Sequence, residues 1–239
     1  MENNAVSLRG KKVALCVPDR IKHLENAIKW MNDPEVTQFV TTYLPVTRDF
    51  EEAWFDNLGK EREKNVVFAI ETKDGKHIGF TGLHNINWHD RTAVVGAIIG
   101  DKEYWGKGHG TDSMMILLSY AFLTLDLRKV RASILAFNQR SLKHAIKCGY
   151  RKEGVSEKQY YKNGKYVDEI LMAVFKNKWI LFQNREFREK GELTFPQDIC
   201  PKCAGKMKKL ARPVSRSEYR NCWRCEDCGF ETELTEMQK

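Results

Sequence analysis

The sequence predicts an α+β fold: a mixed sheet flanked by helices, followed by a small cysteine-rich module. Three observations carry this. Strand and helix patterns interleave over the first 180 residues, with hairpin signals at Asp74-Gly75 and Asn163-Gly164. An apolar, β-branched run over 92–99 feeds a glycine-rich turn, Tyr104-Trp-Gly-Lys-Gly-His-Gly-Thr111, that opens an apolar helical run. Five of the seven cysteines crowd between Cys200 and Cys228.

The elements follow in order. Residues 6–17 alternate imperfectly and predict a first strand. Asp19 opens a helix over 20–31 with Ile21, Leu24, Ile28 and Trp30 or Met31 near helical spacing. Asn32-Asp33-Pro34 breaks it, and 34–40 reads as a short second helix. Thr47 is an N-cap for a helix over 48–63 with Phe50, Trp54 and Leu58 as its apolar stripe. Strands are expected over 65–71, 77–85 and 92–100, the last apolar on both faces and therefore central. After the glycine turn a helix runs to about residue 125. Then come a strand over 129–137, a helix over 141–147 capped by Asn138, and a hairpin over 151–175. Residues 176–190 look helical, and 191–197 read as a linker. The expected division is 1–180, an extension and linker at 181–197, and a tail module at 198–235.

Composition bounds the reading. The hydrophobic fraction of 42% suits a globular protein. No apolar stretch reaches membrane-spanning length, and residues 1–12 hold no signal-peptide core, so a cytoplasmic protein without membrane contact is expected. The net charge of +8 admits anionic partners, namely a nucleotide cofactor, nucleic acid or a ribosome.

The glycine turn can cradle phosphate. Gly106, Gly108 and Gly110 let the backbone approach a ligand and turn amides inward. The helix N-terminus behind them and Lys107 add positive charge. An ordinary tight turn is the competing reading.

Three spaced stretches resemble one family. They are Tyr104–Thr111, then Asn138-Gln-Arg-Ser141 followed by Lys147-Cys-Gly-Tyr150, then Tyr161-Lys-Asn-Gly-Lys-Tyr-Val-Asp168. Their order and the elements between them resemble the GCN5-related N-acetyltransferase (GNAT) superfamily over about residues 5–180, in the branch of ribosomal-protein and spermidine acetyltransferases. The resemblance implies a sheet splayed between the strand ending at Gly100 and the strand ending at Phe137, with acetyl-CoA in the splay. The pantetheine arm would pair with Ile99, Gly100 and Asp101. The pyrophosphate would sit on Gly106, Lys107, Gly108, His109, Gly110, Thr111 and Asp112, with Asn138 on the far side and Lys147 within reach. The implied activity is direct transfer of acetyl from acetyl-CoA to a primary amine of a small molecule or peptide: a protein N-terminus, a polyamine or an amino sugar.

Departures exist. Trp105 stands where relatives often have Gln or Arg. Ala145 stands where many place a Tyr that protonates the leaving sulfur, and Val94 aligns with a common Glu. A general base is still needed, and the candidates are His84, Asp90, Tyr160 and Tyr161. Backbone N–H near Ile98 or Ile99 would stabilise the oxyanion. Cys148 reads as a small buried residue. Trp30, Phe39, Tyr43, Leu44, Trp88 and Tyr161 are candidates for the acceptor site. The rival reading is a binding protein with a degenerate acetyltransferase fold.

The tail carries Cys200-Pro-Lys-Cys203 and Cys225-Glu-Asp-Cys228-Gly229. Two such turns make a tetrahedral Cys₄ site that suits structural zinc. Cys222 with Cys225 is an overlapping alternative. The tail resembles a zinc ribbon, and its basic residues with Tyr219 and Trp223 make nucleic acid, ribosome or protein contact an expected role.

Overall fold

The computed structural model describes residues 8–180 and 183 with their side chains, and 207–213, 219–225 and 231–233 by backbone. The chain divides into two compact units, Met1–Val174 and Phe175–Lys239.

The first unit runs β1 (Leu8–Arg9), β2 (Val13–Cys16), α1 (Arg20–Met31), α2 (Pro34–Thr37), α3 (Arg48–Asn57), β3 (Val66–Thr72), β4 (His77–Asn87), β5 (Thr92–Ile99), α4 (His109–Ser119), β6 (Lys129–Leu135), α5 (Gln139–Lys147), β7 (Arg151–Lys162) and β8 (Lys165–Phe175). Its strands form one mixed sheet in the order β1-β2-β3-β4-β5-β6-β8-β7. The first five pair antiparallel with their sequence neighbours. β5 and β6 pair parallel, so the chain must cross over between them, and α4 is that crossover.

Several elements differ from the sequence expectation for local reasons. The expected single strand over 6–17 is a hairpin, because Gly10 N–H donates to Val13 O at 2.8 Å and turns the chain back. α3 stops at Asn57, just before Gly59, six residues short of the expected end. α2 stops at Thr37, and α4 ends in a π-helical turn, Tyr120–Thr124. The Asn163-Gly164 turn has φ of 50° and 79°, the geometry that a two-residue hairpin demands.

The buried stripe of α1 is Leu24, Ala27 and Trp30, and Ile21, expected inside, is 96% exposed. Asp19 caps this helix by accepting from Lys22 N at 3.0 Å. Leu24 and Ala27 pack with Phe55 of α3, together with Trp54 and Phe80. Burying a side chain of Leu or Phe size contributes about 2 kcal/mol. On α3 the buried positions are Glu51 and Phe55, while Phe50, expected in the stripe, is 65% exposed.

A polar cluster lies between α1, β3 and β4. His23 Nε2 meets Glu71 Oε1 at 2.9 Å, and His23 Nδ1 accepts from Asp19 N at 2.8 Å. His77 Nε2 meets Gly79 O at 2.9 Å, and its Nδ1 lies 3.3 Å from Asn26 Nδ2. The two ring centroids lie 4.4 Å apart with their planes tilted by 57°. Each ring thus has one donor and one acceptor partner, the pattern of a neutral imidazole. Burial, and next the neighbouring His23, push the His77 pKa down to about 4.

This cluster makes the fold sensitive to acid. The unfolded chain binds a proton at His77 near pH 6.5, whereas the folded chain does so only near 4. Stability should therefore be full above pH 6.5 and fall as pH drops toward 4, by on the order of 3 kcal/mol from this group. Urea unfolding at pH 7 and 4.5 should show the drop, and His77→Phe should shrink the difference between the two pH values.

The second unit holds a helical segment at 176–180 and three antiparallel strands, β9 (Met207–Pro213), β10 (Tyr219–Cys225) and β11 (Glu231–Glu233), with β10 in the middle. Cys225 ends β10 opposite Met207. Cys200, Cys203 and Cys228 lie outside the described residues. No described helix is long and apolar enough to cross a membrane.

Candidate active site

The sheet unzips along one seam. β5 and β6 pair at Thr92↔Lys129, Ala93↔Val130 and Val94↔Arg131, and both strands then run on without pairing to each other. The wedge between them is a cleft of about 410 Å³. Its walls include Ala97 and Ile99 of β5, Ile134 of β6, the glycines at 106, 108 and 110, and Asn138, Arg140 and His144.

Strand alternation decides which backbone groups face the cleft. Gly100 N–H donates to Ile78 O at 2.9 Å, and Ile98 pairs with Phe80, so even-numbered positions of β5 direct their amides to β4. Odd-numbered positions direct theirs across the seam. Of the two expected oxyanion donors, Ile99 therefore has its N–H on the cleft side and Ile98 does not. Of the backbone groups expected to meet a pantetheine arm, the N–H groups of Gly100 and Asp101 both donate to Ile78 O. The Asp101 carboxylate instead caps the following turn at Glu103 N and pairs with Lys76 at 2.9 Å. Ile99 O accepts from the Trp105 indole N–H at 2.6 Å, so the departure at Trp105 fastens the glycine turn to β5.

The glycine turn has the shape of an anion cradle. Gly106 and Gly108 have φ of 73° and 85°, and Gly108 is the N-cap of α4 without a side-chain cap bond. A residue with a Cβ is strained at such a φ. The amides of His109, Gly110 and Thr111 fall in the first helical turn, where no carbonyl lies one turn back to accept them. Asp112 N–H is different: it donates to Gly108 O at 3.0 Å and leaves the cradle. The His109 ring packs edge-on against Tyr104 with centroids 5.0 Å apart, so only its backbone is placed for the cradle. Lys107 is exposed beside it.

The sequence did not reveal what holds this turn. The Asp112 carboxylate accepts from the amides of Lys11, Lys12 and Val13 at 3.1, 2.6 and 3.0 Å, pinning the β1–β2 hairpin to α4. Lys12 Nζ then donates to Lys107 O at 2.9 Å. Carbonyl and amide of one peptide point in opposite directions, so this bond turns Gly108 N–H away from Lys12 and toward the cradle. Across the seam, the Arg140 guanidinium lies 4.0 Å from the Trp105 ring centroid and 5.0 Å from that of Phe39. Asn138 Oδ1 caps α5 by accepting from Ser141 N at 3.0 Å, and Lys147 lines the cleft from the same helix.

These observations match a known family. The acetyltransferase (GNAT) domain family matches residues 16–151. The chain belongs to the GNAT acetyltransferase family. A spermidine N(1)-acetyltransferase of Vibrio cholerae is 28% identical over 139 residues, which cover 55% of this chain and 80% of that protein. A putative ribosomal N-acetyltransferase of Bacillus subtilis is 32% identical over 106 residues, 44% of this chain and 57% of that protein. In fold, the chain is similar to a Vibrio cholerae spermidine N-acetyltransferase solved with CoA and spermine. The TM-score is 0.66 at 23% identity, covering 70% of this chain and 98% of that one. The GNAT domain is an acetyl-CoA-dependent N-acetyltransferase acting on an amine. Its unpaired seam, free helix-start amides and cluster of Lys12, Lys107, Arg140 and Lys147 suit a long ligand that carries phosphate at one end.

A second pocket, of about 570 Å³, lies on the opposite face of β5 under α1 and α3. Val40 and Ile98 line both pockets, so the two meet there. His84 is in this second pocket. It is the cross-strand partner of Val94, and a Cβ at Gly96 would come within 2.9 Å of its Nε2, so a larger residue there would make the ring shift. Burial lowers the His84 pKa. The other catalytic candidates are not brought here. Asp90 sits at the β4–β5 turn, the opposite end of β5 from the seam's opening, bonded to Asn87 Nδ2 at 2.8 Å. Tyr161 is 64% exposed on the β7–β8 hairpin, with its ring 5.2 Å from that of Tyr166, and Tyr160 OH donates to Glu169 Oε1 at 3.1 Å.

Of the aromatic acceptor-site candidates, Trp30 lines the second pocket and Phe39 the cleft. Tyr43 and Leu44 are exposed at 85% and 65%, and the Trp88 indole donates to Glu63 O at the far turn. Ala145 lines the cleft and carries no proton. Its neighbour His144, absent from the sequence reading, lines the cleft as well, with its pKa lowered by burial. Cys148 is fully buried, as expected.

Lys12→Met should raise the dissociation constant for CoA about tenfold, the scale of a charge-assisted hydrogen bond near phosphate. Titration calorimetry on the apoprotein reads this directly, and Asp112→Asn should weaken binding in the same direction by freeing the hairpin.

Proposed function

We propose that the amine acceptor is a small molecule that enters the second pocket and reaches the acetyl thioester where that pocket meets the cleft, with His84 as general base. One observation carries the reading. Among the described residues, the one histidine lining the second pocket stands beside Val94, where many relatives have a carboxylate, so a titratable group occupies the same neighbourhood from the adjacent strand. A pocket of about 570 Å³ suits a small amine. The relatives named for spermidine and for the ribosome make a polyamine or a protein amine the leading acceptors, and the pocket favours the polyamine.

Acetyl-CoA supplies the activated acetyl group. The chain's residues do the rest. The cradle and seam hold the acyl donor while Ile99 N–H faces the developing oxyanion. His84, neutral because burial lowers its pKa, takes the proton the amine loses as its nitrogen bonds to the carbonyl carbon. The C–S bond then breaks. Since Ala145 offers no proton, the thiolate takes one from water, which its modest basicity allows. Much of the rate comes from alignment of the two substrates.

His84→Asn should lower kcat/KM by about 100-fold or more while leaving CoA affinity intact. The wild-type rate should fall only below pH 6.5, since a base with a lowered pKa stays unprotonated further into acid. That limb should disappear in the variant.

The tail completes the proposal: structural zinc on Cys200, Cys203, Cys225 and Cys228 in a ribbon. Support comes from the three antiparallel strands and from Cys225 at the end of β10, where a C-x-x-C turn can follow. Cys222 and Cys225 lie three apart within one strand, and such positions fall on opposite faces. That spacing disfavours their pairing on one metal. Purified protein should carry about one zinc per chain, lost in Cys228→Ser and retained in Cys222→Ser, as read by metal analysis.

A further inference from the structure

The second pocket holds a group that fold stability does not explain. Glu51, in the first turn of α3, is 7% exposed and lines the pocket. Among the described residues its carboxylate makes no hydrogen bond and no ion pair, although Arg48 stands only three residues earlier on the same helix and pairs with Glu25 and Glu52 instead. No charged side chain contributes to its titration, and burial alone raises its pKa. Around it stand Trp30, Phe50, Trp54 and Phe80. A carboxylate that opens into an aromatic pocket without a partner adds nothing evident to the fold. Such groups belong to sites where a ligand supplies the missing partner.

The ligand that fits is a cation. A carboxylate satisfies an ammonium by charge-assisted hydrogen bonds, and aromatic faces attract the same cation through their quadrupoles. An acceptor amine cannot serve both needs with one nitrogen, because the attacking nitrogen must be neutral at the junction near Ile98, where His84 takes its proton. We propose that Glu51 selects acceptors with two amino groups, holding one as ammonium while the other attacks. This deepens the acceptor reading above and rests on it. Chain length between the two nitrogens then becomes a specificity determinant, set by the path from α3 to the seam.

The test compares linear diamines of increasing length, including spermidine, with monoamines of matched length and with a short peptide bearing a free N-terminus. Steady-state kinetics and calorimetric binding are measured on the zinc-loaded full chain and on Glu51→Gln. The expected result is a preference for diamine over matched monoamine of about 10- to 100-fold in kcat/KM, the range of a hydrogen bond to a charged group. Glu51→Gln should collapse that ratio through KM. Its thermal midpoint should not fall, whereas a structural role for Glu51 would lower it.

An undiminished diamine preference in Glu51→Gln overturns the proposal. So does a wild type that acetylates monoamine, diamine and peptide alike, in which case the acetyltransfer reading stands and Glu51 falls. If no acceptor turns over but diamine binding is present and lost in Glu51→Gln, the cation site stands and the acceptor reading falls.

Discussion

Everything functional in this chain follows from a place where hydrogen bonding stops. β5 and β6 pair through Val94↔Arg131 and then part. A sheet interior normally satisfies every amide and carbonyl, and unpaired ones are costly when buried. Here the odd-numbered backbone groups near the end of β5 face a cleft, and of those on Ile99 the carbonyl already accepts from the Trp105 indole while the N–H faces the seam. They can be satisfied by an extended ligand, which makes the unzipped seam a template for one. The helix that crosses from β5 to β6 begins at the mouth of the same seam, so its free amides lie at the phosphate end of that ligand's path. One topological fact, a parallel pair joined by a crossover helix, thus shapes both the seam and the glycine turn at its mouth.

The same strand serves two chemistries because its faces alternate. Val95, Ala97 and Ile99 line the cofactor cleft, while Gly96 opens the other face. The residue with no side chain is the one that admits His84. A Cβ there would press on the ring, so the position of His84 and the open space beside it depend on the same missing Cβ.

Much of this was legible in the sequence. The glycine turn, the caps at Asp19, Thr47 and Asn138, and the Asn163-Gly164 hairpin are local signals with local causes, and the structure places each where its chemistry requires. What escaped was long-range. Lys12 and Asp112 stand a hundred residues apart, and no periodicity links them. Glu51 was hidden by the helix stripe. Phe50 and Trp54 suggested one buried face, but α3 is rotated so that an acidic residue points inward. His84, Asp90 and Tyr161 were all candidates by residue type, and register sets them apart: His84 lines the second pocket, Asp90 sits at the β4–β5 turn, and Tyr161 lies at the tip of the β7–β8 hairpin, whose Lys162 donates to Thr42 O. Strand order, not residue type, separated the three.

The hairpin at residues 8–16 is held to the cofactor helix by one carboxylate accepting three amides. That contact couples the hairpin and the glycine turn thermodynamically. Whatever free energy frees the hairpin is subtracted from cofactor binding, and by reciprocity a bound cofactor holds the hairpin shut. Occupancy of the cleft would then be read at residues 8–16, where backbone amide exchange would slow as CoA binds.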